Sequence, residues 1–341
     1  MTIVGGLDLH RKQITYDVVD TETGQLHRGR ITPAERGAVR EWMSRFADEA
    51  VELAVEAGTG WRFVVEECQQ AGAVVHLAEP AEVSSSRGRK KRAKTDRLDA
   101  AWLRELLEDG RIPESWLPPS HVLELRATAR LYRTLMEERT GWMRRIHAVQ
   151  FHHGAPREIR MSSVRDRERM LDAEQLSPSG RESIAVALRV IDSLEAEAER
   201  LHQRLVRFAG AQPGCRALQQ EYGIGKLTSA VIWSELGDAR RFSSSDDAVR
   251  HSGLDISIYS SDGKRSPGKL TRQGPPQLRW ALYEAGRCAA RTSSPDHHYH
   301  QQVARRLGNK RATLSVARKL VRRCHHRLRE LGDEAMIDIG A

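Results

Sequence analysis

"RGRKKRAKTDRLDA", Arg87–Ala100, sets six basic residues (Arg87, Arg89, Lys90, Lys91, Arg92 and Lys94) directly ahead of two aspartates, Asp96 and Asp99. Followed on to Gly110, the aspartates open a helix. Thr95 can cap it, Leu98, Trp102, Leu103, Leu106 and Leu107 line one side, and Gly110 ends it. An i, i+3 spacing projects both carboxylates from one helical face. Such a pair is either an exposed helix face behind a solvated basic loop, or half of a metal site beside a polyanion. The surrounding elements decide between these.

Upstream, "TIVGGLDLH" is an apolar run that ends in Asp8. "ITYDVVDTETGQLHRGRIT" is two β-rich runs split by the turn signal Glu22-Thr23-Gly24. From Pro33, Val39, Trp42, Met43 and Phe46 recur at helical spacing, with proline favoured near a helix start. "VELAVEAG" is a buried-looking strand ending at Glu56; a helix from Trp61 to about Gln70 and the short strand "AVVHLA" follow. Three meander strands and then alternating helix and strand make a mixed α/β sheet. Its acids fall at strand ends and on the last helix.

Downstream, "RIPESWLPPS" is a proline-rich joint, and the first boundary falls near it. Ser120–Gln150 reads as one long basic helix. From Ile184 to Phe208 a heptad holds, with Ile184, Ala187, Ile191, Leu194, Ala198, Leu201, Leu205 and Phe208 at a and d positions. That seam needs a partner helix, within the chain or from a second copy.

The 341 residues carry a formal net charge of +9, which favours a polyanionic partner through its clustering more than its total. Aromatic content of 5% leaves few residues for a stacking surface. Four widely spaced cysteines without a CxxC suggest a reducing cytosol. With neither a leader-like start nor a long apolar run, a soluble cytoplasmic protein without a membrane partner is expected.

Asp8, Glu56, Asp96 and Asp99 are the candidate catalytic and metal-binding set. One such acid alone is ordinarily a solvated residue, but four in this element order can form a compact carboxylate cluster. Such a cluster needs cations, and hard oxygen ligands suit Mg²⁺ or Mn²⁺. Two metals roughly 4 Å apart can orient attacking and leaving oxygens in phosphoryl transfer. The basic run would hold phosphates nearby.

Three further segments suggest nucleic acid. Gly223-Ile224-Gly225 before Lys226 has the helix-hairpin-helix pattern, whose glycines let backbone N–H groups reach a phosphate; the plain alternative is a glycine turn between packed helices. "SSDGKRSPGK" combines hydroxyls and a turn-forming Asp262-Gly263 with Lys264, Arg265 and Lys269 to bind phosphate. Arg305, Arg306, Lys310, Arg311, Arg318, Lys319, Arg322, Arg323, Arg327 and Arg329 have no acid among them and read as a phosphate-backbone surface. His297, His298, His300, His325 and His326 lack zinc spacing and are expected on the surface.

Element order and acid placement resemble the RNase H-like nuclease fold in its RuvC-type form. With the C-terminal third included, the chain resembles the DEDD transposases of bacterial insertion sequences, a family of bridge-RNA-guided recombinases that includes Piv-type DNA invertases. "GLDLH", "VEAGTG" and "KTDRLDA" match its three acidic blocks. "YGIGKLTSAVIWSELGDARRF", "SGLDISIYSSDGKRSPGKLTRQG" and "QLRWALYEA" match its transposase domain. The chain departs from the family at Glu79-Pro80, where Asn-Pro is usual, at Asp255 in place of a proline, and at Thr271-Arg272-Gln273-Gly274 in place of Ser-Lys-x-Gly.

The resemblance implies an RuvC-like α/β domain over 1–112, a helical coiled-coil spacer over 113–210, and a mainly α serine transposase domain over 211–341. It makes Asp8, Glu56, Asp96 and Asp99 the metal ligands and Ser261 the nucleophile that bonds covalently to a DNA phosphate, with Ser260 the neighbouring alternative. It further implies donor and target DNA, a structured guide (bridge) RNA, and a homotetramer built as a dimer of dimers. Two rival readings stay open. One is a metal-dependent, Holliday-junction-type endonuclease with Ser261 incidental; the other is a non-catalytic nucleic-acid-binding protein.

Overall fold

The computed structural model describes residues 2–86, 95–157, 163–257 and 268–340, with the backbone alone at 259–261 and 264–266. The basic run from Arg87 to Lys94 lies outside the described residues. The chain divides into two compact units, Met1–Leu117 and Pro118–Ala341.

The first unit runs β1 (Thr2–Leu9), β2 (Ile14–Asp20), β3 (Leu26–Ile31), α1 (Arg36–Met43), β4 (Ala50–Glu56), α2 (Trp61–Gln70), β5 (Val74–Ala78), α3 (Pro80–Ser86) and α4 (Asp96–Glu108). Its five strands form one sheet in the order β3-β2-β1-β4-β5. β1 is antiparallel to β2, and β2 to β3; β4 is parallel to β1 and β5 is parallel to β4. The meander and the crossover strands fall where their turn signals and apolar runs predict.

Successive strand residues point to opposite faces, so one alternation assigns both layers. Ile3 and Leu7 of β1, Ile14 and Val18 of β2, and Val51, Leu53 and Val55 of β4 pack with Val39, Trp42, Met43, Val64, Val65 and Cys68 of α1 and α2. The intervening residues Gly6 and Ala54, with Ala78 of β5, form the opposite face under α4. There Ala54 and Ala78 cluster with Leu103 and Leu106. The small residues are required: a Cβ on Gly6 would lie 2.6 Å from the Arg104 backbone nitrogen and 2.8 Å from the Leu103 Cβ, and closer still to the Ala100 carbonyl oxygen. Thr95 caps α4 as expected, its side chain accepting from the Leu98 backbone N–H. Leu98, placed in the apolar stripe by its spacing, is instead exposed.

The second unit comprises α5 (Ser120–His152), α6 (Val164–Leu171), α7 (Pro178–Ala211), α8 (Pro213–Leu218), α9 (Lys226–Leu236), α10 (Ser245–Ser252), β6 (Tyr259–Ser261), β7 (Lys264–Ser266), α11 (Pro276–Arg287), α12 (His297–Leu307) and α13 (Asn309–Leu331). The α7 seam finds its partner inside the chain, because α5 runs along it. Ile184, Ala187, Ile191, Ala198, Leu205 and Phe208 of that seam are buried. α9 is apolar on nearly every side and buried from Ser229 to Leu236, with α5, α7, α8 and α11 around it. The helices of 113–210 therefore share a compact unit with the C-terminal segment.

Two histidines expected on the surface are buried. His300 lies 3.4 Å from the Thr313 hydroxyl, and His325 packs edge-on to Phe242 with ring centroids 6.2 Å apart. Packing of α13 against α10, α11 and α12 covers these positions, a long-range effect that local composition does not encode. Among the described residues all four cysteines are free thiols, and burial pushes the Cys68 thiol up to about 12. No described helix is long and apolar enough to cross a membrane.

Candidate functional site

The register pairs Leu7 with Val55, so Asp8 and Glu56, one residue on, end adjacent parallel strands at the same edge of the sheet. Both follow the alternation of Gly6 and Ala54 and so belong to the face that α4 covers. α4 begins over that edge with Asp96 and Asp99 in its first turn. The sheet and helix thus bring the four acids toward one region, from three segments of chain.

The tightest part of this region is Asp8, His10 and Asp96. One ligand atom from each lies within 4.8 Å of the others. His10 Nε2 stands 3.1 Å from Asp8 Oδ2 and 3.2 Å from Asp96 Oδ1, bridging the two carboxylates. Gln13 Nε2 donates to the other Asp96 oxygen at 3.4 Å. Asp99 is buried and outside this tight group, yet its charge is felt at Asp8. Burial raises the Asp8 carboxyl above the ordinary carboxylate range against the pull of His10, and Asp99 and Asp96 push it the same way. Glu56 is half-buried at the end of β4, also outside the tight group.

A divalent cation fits this set. Carboxylate oxygens are hard ligands for it, and a cation would offset both the burial of the Asp8 charge and the push that Asp99 and Asp96 add to it. His10 was not among the acids singled out from the sequence. Its signal was the two-residue spacing in "DLH", which returns His10 to the side of the strand that carries Asp8.

Behind the acids, Arg104 locks the helix to the sheet. Its Nε lies 2.6 Å from Asp17 Oδ1 on β2, whose other oxygen accepts from Arg28 Nε at 2.6 Å. Both Asp17 and Arg104 are buried, and Arg104 also pairs with Glu108. With both ions satisfied, this contact fixes how α4 lies across β1 and β2.

In the second unit, Ser261 is the last residue of β6 and pairs with Lys264, the first of β7; Ser260 pairs with Arg265. The serine loop is therefore a β-hairpin arm, with Asp262 and Gly263 outside the described residues. Its base is closed by Ser257 N–H donating to Lys269 O at 3.0 Å and Thr271 N–H to Asp255 O at 3.2 Å. Arg279 donates to the carbonyls of Ser252 and Gly274, and Arg318 to that of Leu254. Gly253 at φ 65° and Gly274 at φ 104° make the close crossing where the arm leaves the helices. Lys269 is exposed.

The glycine turn has two parts with different surroundings. Gly223, at φ 92°, packs against α11, where a Cβ would lie 2.5 Å from the Ala285 carbonyl oxygen and 3.0 Å from the Cys288 Cβ. Gly225 caps α9 with open space above it, and Lys226 beside it is exposed.

The basic tail is corrected by its tertiary partners. Lys319 and Arg323 hold Asp296, Arg322 pairs with Asp246, Arg327 pairs with Glu221, and Arg318 and Arg329 donate to backbone carbonyls. These six charges pin α13 to its neighbours. Arg305, Arg306, Lys310 and Arg311 have no ion pair among the described residues.

The chain is similar to known transposases along both halves. Residues 5–150 match the family profile of IS110-type DEDD transposases, described as a transposase, and residues 215–301 match that of the transposase IS116/IS110/IS902 family. A putative transposase, y4rJ, of Sinorhizobium fredii is 27% identical over 251 residues, spanning 67% of this chain and 63% of that protein, just under two thirds of its length. A probable family 20 transposase of Pseudomonas aeruginosa is 23% identical over 317 residues, 89% of this chain and 90% of that protein. One profile covers the acids and the other the serine arm, in that order along the chain: in both halves the chain is similar to transposases of the IS110-type and IS116/IS110/IS902 families.

Proposed function

We propose that this chain is a DNA transposase of RNase H-like, RuvC-type fold that cuts and rejoins DNA with metal-assisted phosphoryl transfer. The observation that carries the reading is the convergence of Asp8 and Asp96 around His10, with Asp99 electrically coupled to Asp8. Asp8, Asp96, Asp99 and Glu56 would hold Mg²⁺ or Mn²⁺. The bound metal would supply charge neutralisation at the phosphate and at the leaving oxygen.

Ser261 is the residue proposed to take the DNA. Its hydroxyl gives up a proton, its oxygen bonds to phosphorus, and the bridging oxygen of the cleaved strand leaves and is protonated. Attack on that phosphoserine by the hydroxyl of another strand end reverses the step and rejoins DNA without ATP. This part of the reading is supported by the family resemblance and by the hairpin arm, whose glycine and arginine base holds β6 in a defined register. Donor and target DNA, a structured guide RNA and a dimer-of-dimers assembly rest on the resemblance alone.

The test uses plasmid carrying the DNA that flanks this gene, the RNA that copurifies with the protein, and Mg²⁺. Denaturing gels should show a protein–DNA adduct that Ser261→Ala abolishes, and Asp8→Asn and EDTA should each stop cleavage. Cleavage without any adduct would select the water-hydrolysing endonuclease. No cleavage by the wild-type protein, with DNA binding unchanged in Asp96→Ala, would leave only a nucleic-acid-binding protein.

A further inference from the structure

On the α4 side of the sheet, beside the acids, lies a cleft of about 380 Å³ lined by Thr15, Asp17, Arg28, Arg30 and Arg97 among others. The registers explain its position. Asp8 pairs with Thr15 and Thr15 with Arg30, so these three form one row across β1, β2 and β3. Neighbouring strands lie about 4.8 Å apart, which puts the Arg30 backbone roughly 10 Å from that of Asp8. Arg97 enters from the first turn of α4, between Asp96 and Asp99 in sequence.

The electrostatics favour an anion. Asp17 is the one carboxylate among the residues named, and Arg28 and Arg104 already match its charge. Arg30 and Arg97 are exposed and have no ion pair among the described residues. A second, independent feature is Thr15. It is 2% exposed, and its hydroxyl has no hydrogen-bond partner among the described residues. A buried hydroxyl is rarely left this way, and here it sits in the floor of a cleft under two unopposed arginines. Flexible arginine side chains can turn onto a phosphate and open that floor to it.

We propose that Arg30, Arg97 and Thr15 form a binding site for a backbone phosphate of the DNA strand processed at Asp8. The guanidinium forks would take the non-bridging oxygens, and the Thr15 hydroxyl would donate to one of them. Because the row leads straight from Asp8, the phosphate held would belong to a nucleotide a few positions from the one being cut. The site rests on the reading of the chain as a DNA-processing enzyme and adds the contact that sets the strand in register.

The experiment is fluorescence anisotropy of full-length protein with a labelled DNA duplex in EDTA, across a salt series. The double variant Arg30→Gln/Arg97→Gln should bind at least about 10-fold more weakly, with a salt slope shallower by about 1, the value for one lost phosphate contact. Thr15→Val should keep or raise the melting temperature, because it removes an unpartnered hydroxyl, while weakening DNA binding. Unchanged affinity and slope in the double variant would overturn the site. So would a loss confined to an RNA probe of the same sequence, or a Thr15→Val protein that melts lower and binds DNA normally. Asp8→Asn separates the two claims. If it stops cleavage while the arginine variant binds like wild type, the cleft assignment fails and the transposase reading stands. Wild-type protein that binds no DNA removes both.

Discussion

Gly6 of β1 lies directly beneath Ala100 of α4, so close that any Cβ at position 6 would collide with the Ala100 carbonyl oxygen. Gly6 is two residues before Asp8 on the same strand face, and Ala100 follows Asp99. One hydrogen atom in place of a side chain therefore sets how near the helical carboxylates come to the strand carboxylate.

Gly6→Ala should lift α4 and destabilise the protein by about 1–3 kcal/mol, as overpacking does. It should also weaken Mn²⁺ binding by calorimetry. Gly37 in α1 has no described residue within reach of a Cβ, and Gly37→Ala should stabilise by up to about 1 kcal/mol. Equal effects at the two glycines would refute the packing argument.

His10 bridges Asp8 and Asp96, and its imidazole is suited to a divalent cation. His10→Ala should lower Mn²⁺ affinity by roughly 10–100-fold with little change in urea stability, since the ring is half exposed. An unchanged Mn²⁺ isotherm would remove His10 from the site.

Glu235 is buried in α9 with Arg130 Nε and Nη2 at 3.0 and 3.1 Å from its two oxygens, and Arg126 close by. Replacing it with Gln takes the counter-charge from Arg126, which is largely buried, and from Arg130, which is half exposed and screened by water. Glu235→Gln should cost about 1–3 kcal/mol in urea unfolding. A loss below 1 kcal/mol would mean that solvent reaches the pair.

His251 sits under Phe242 with its Nε2 3.1 Å from Arg241, and burial followed by that guanidinium pushes its imidazole down to about 3. The unfolded chain takes up this proton near the ordinary value of 6.5, well before the folded chain does. The stabilisation is therefore complete above about pH 6.5 and declines as pH falls toward 3, by at most about 1.4 kcal/mol per pH unit. Urea midpoints for His251→Gln should fall less between neutral pH and about pH 5 than those of wild type.

Much of the first unit was legible because its signals are local. The β-rich runs around Glu22-Thr23-Gly24, the helix of Trp61–Gln70, and Thr95 with Gly110 around α4 all appear where turn chemistry and periodicity put them. The α7 heptad was equally legible, whereas its partner was not; a seam specifies an apolar stripe without naming the helix that fills it. In the site, Asp8 and Asp96 were readable as acids at element ends, while His10 was passed over as an ordinary residue after a strand.

The sequence by itself determined the periodicities, the caps and the order of acids along the chain, because each depends on neighbours a few residues away. Only the tertiary structure decided which charges remain available. Asp17 is consumed by Arg28 and Arg104, and six of the ten tail cations are tied to acids and carbonyls on other elements, whereas Arg30 and Arg97 stay unopposed among the described residues. Ion pairing acts over a few ångströms in space, and the close approach at Gly6 and the strand registers set those distances.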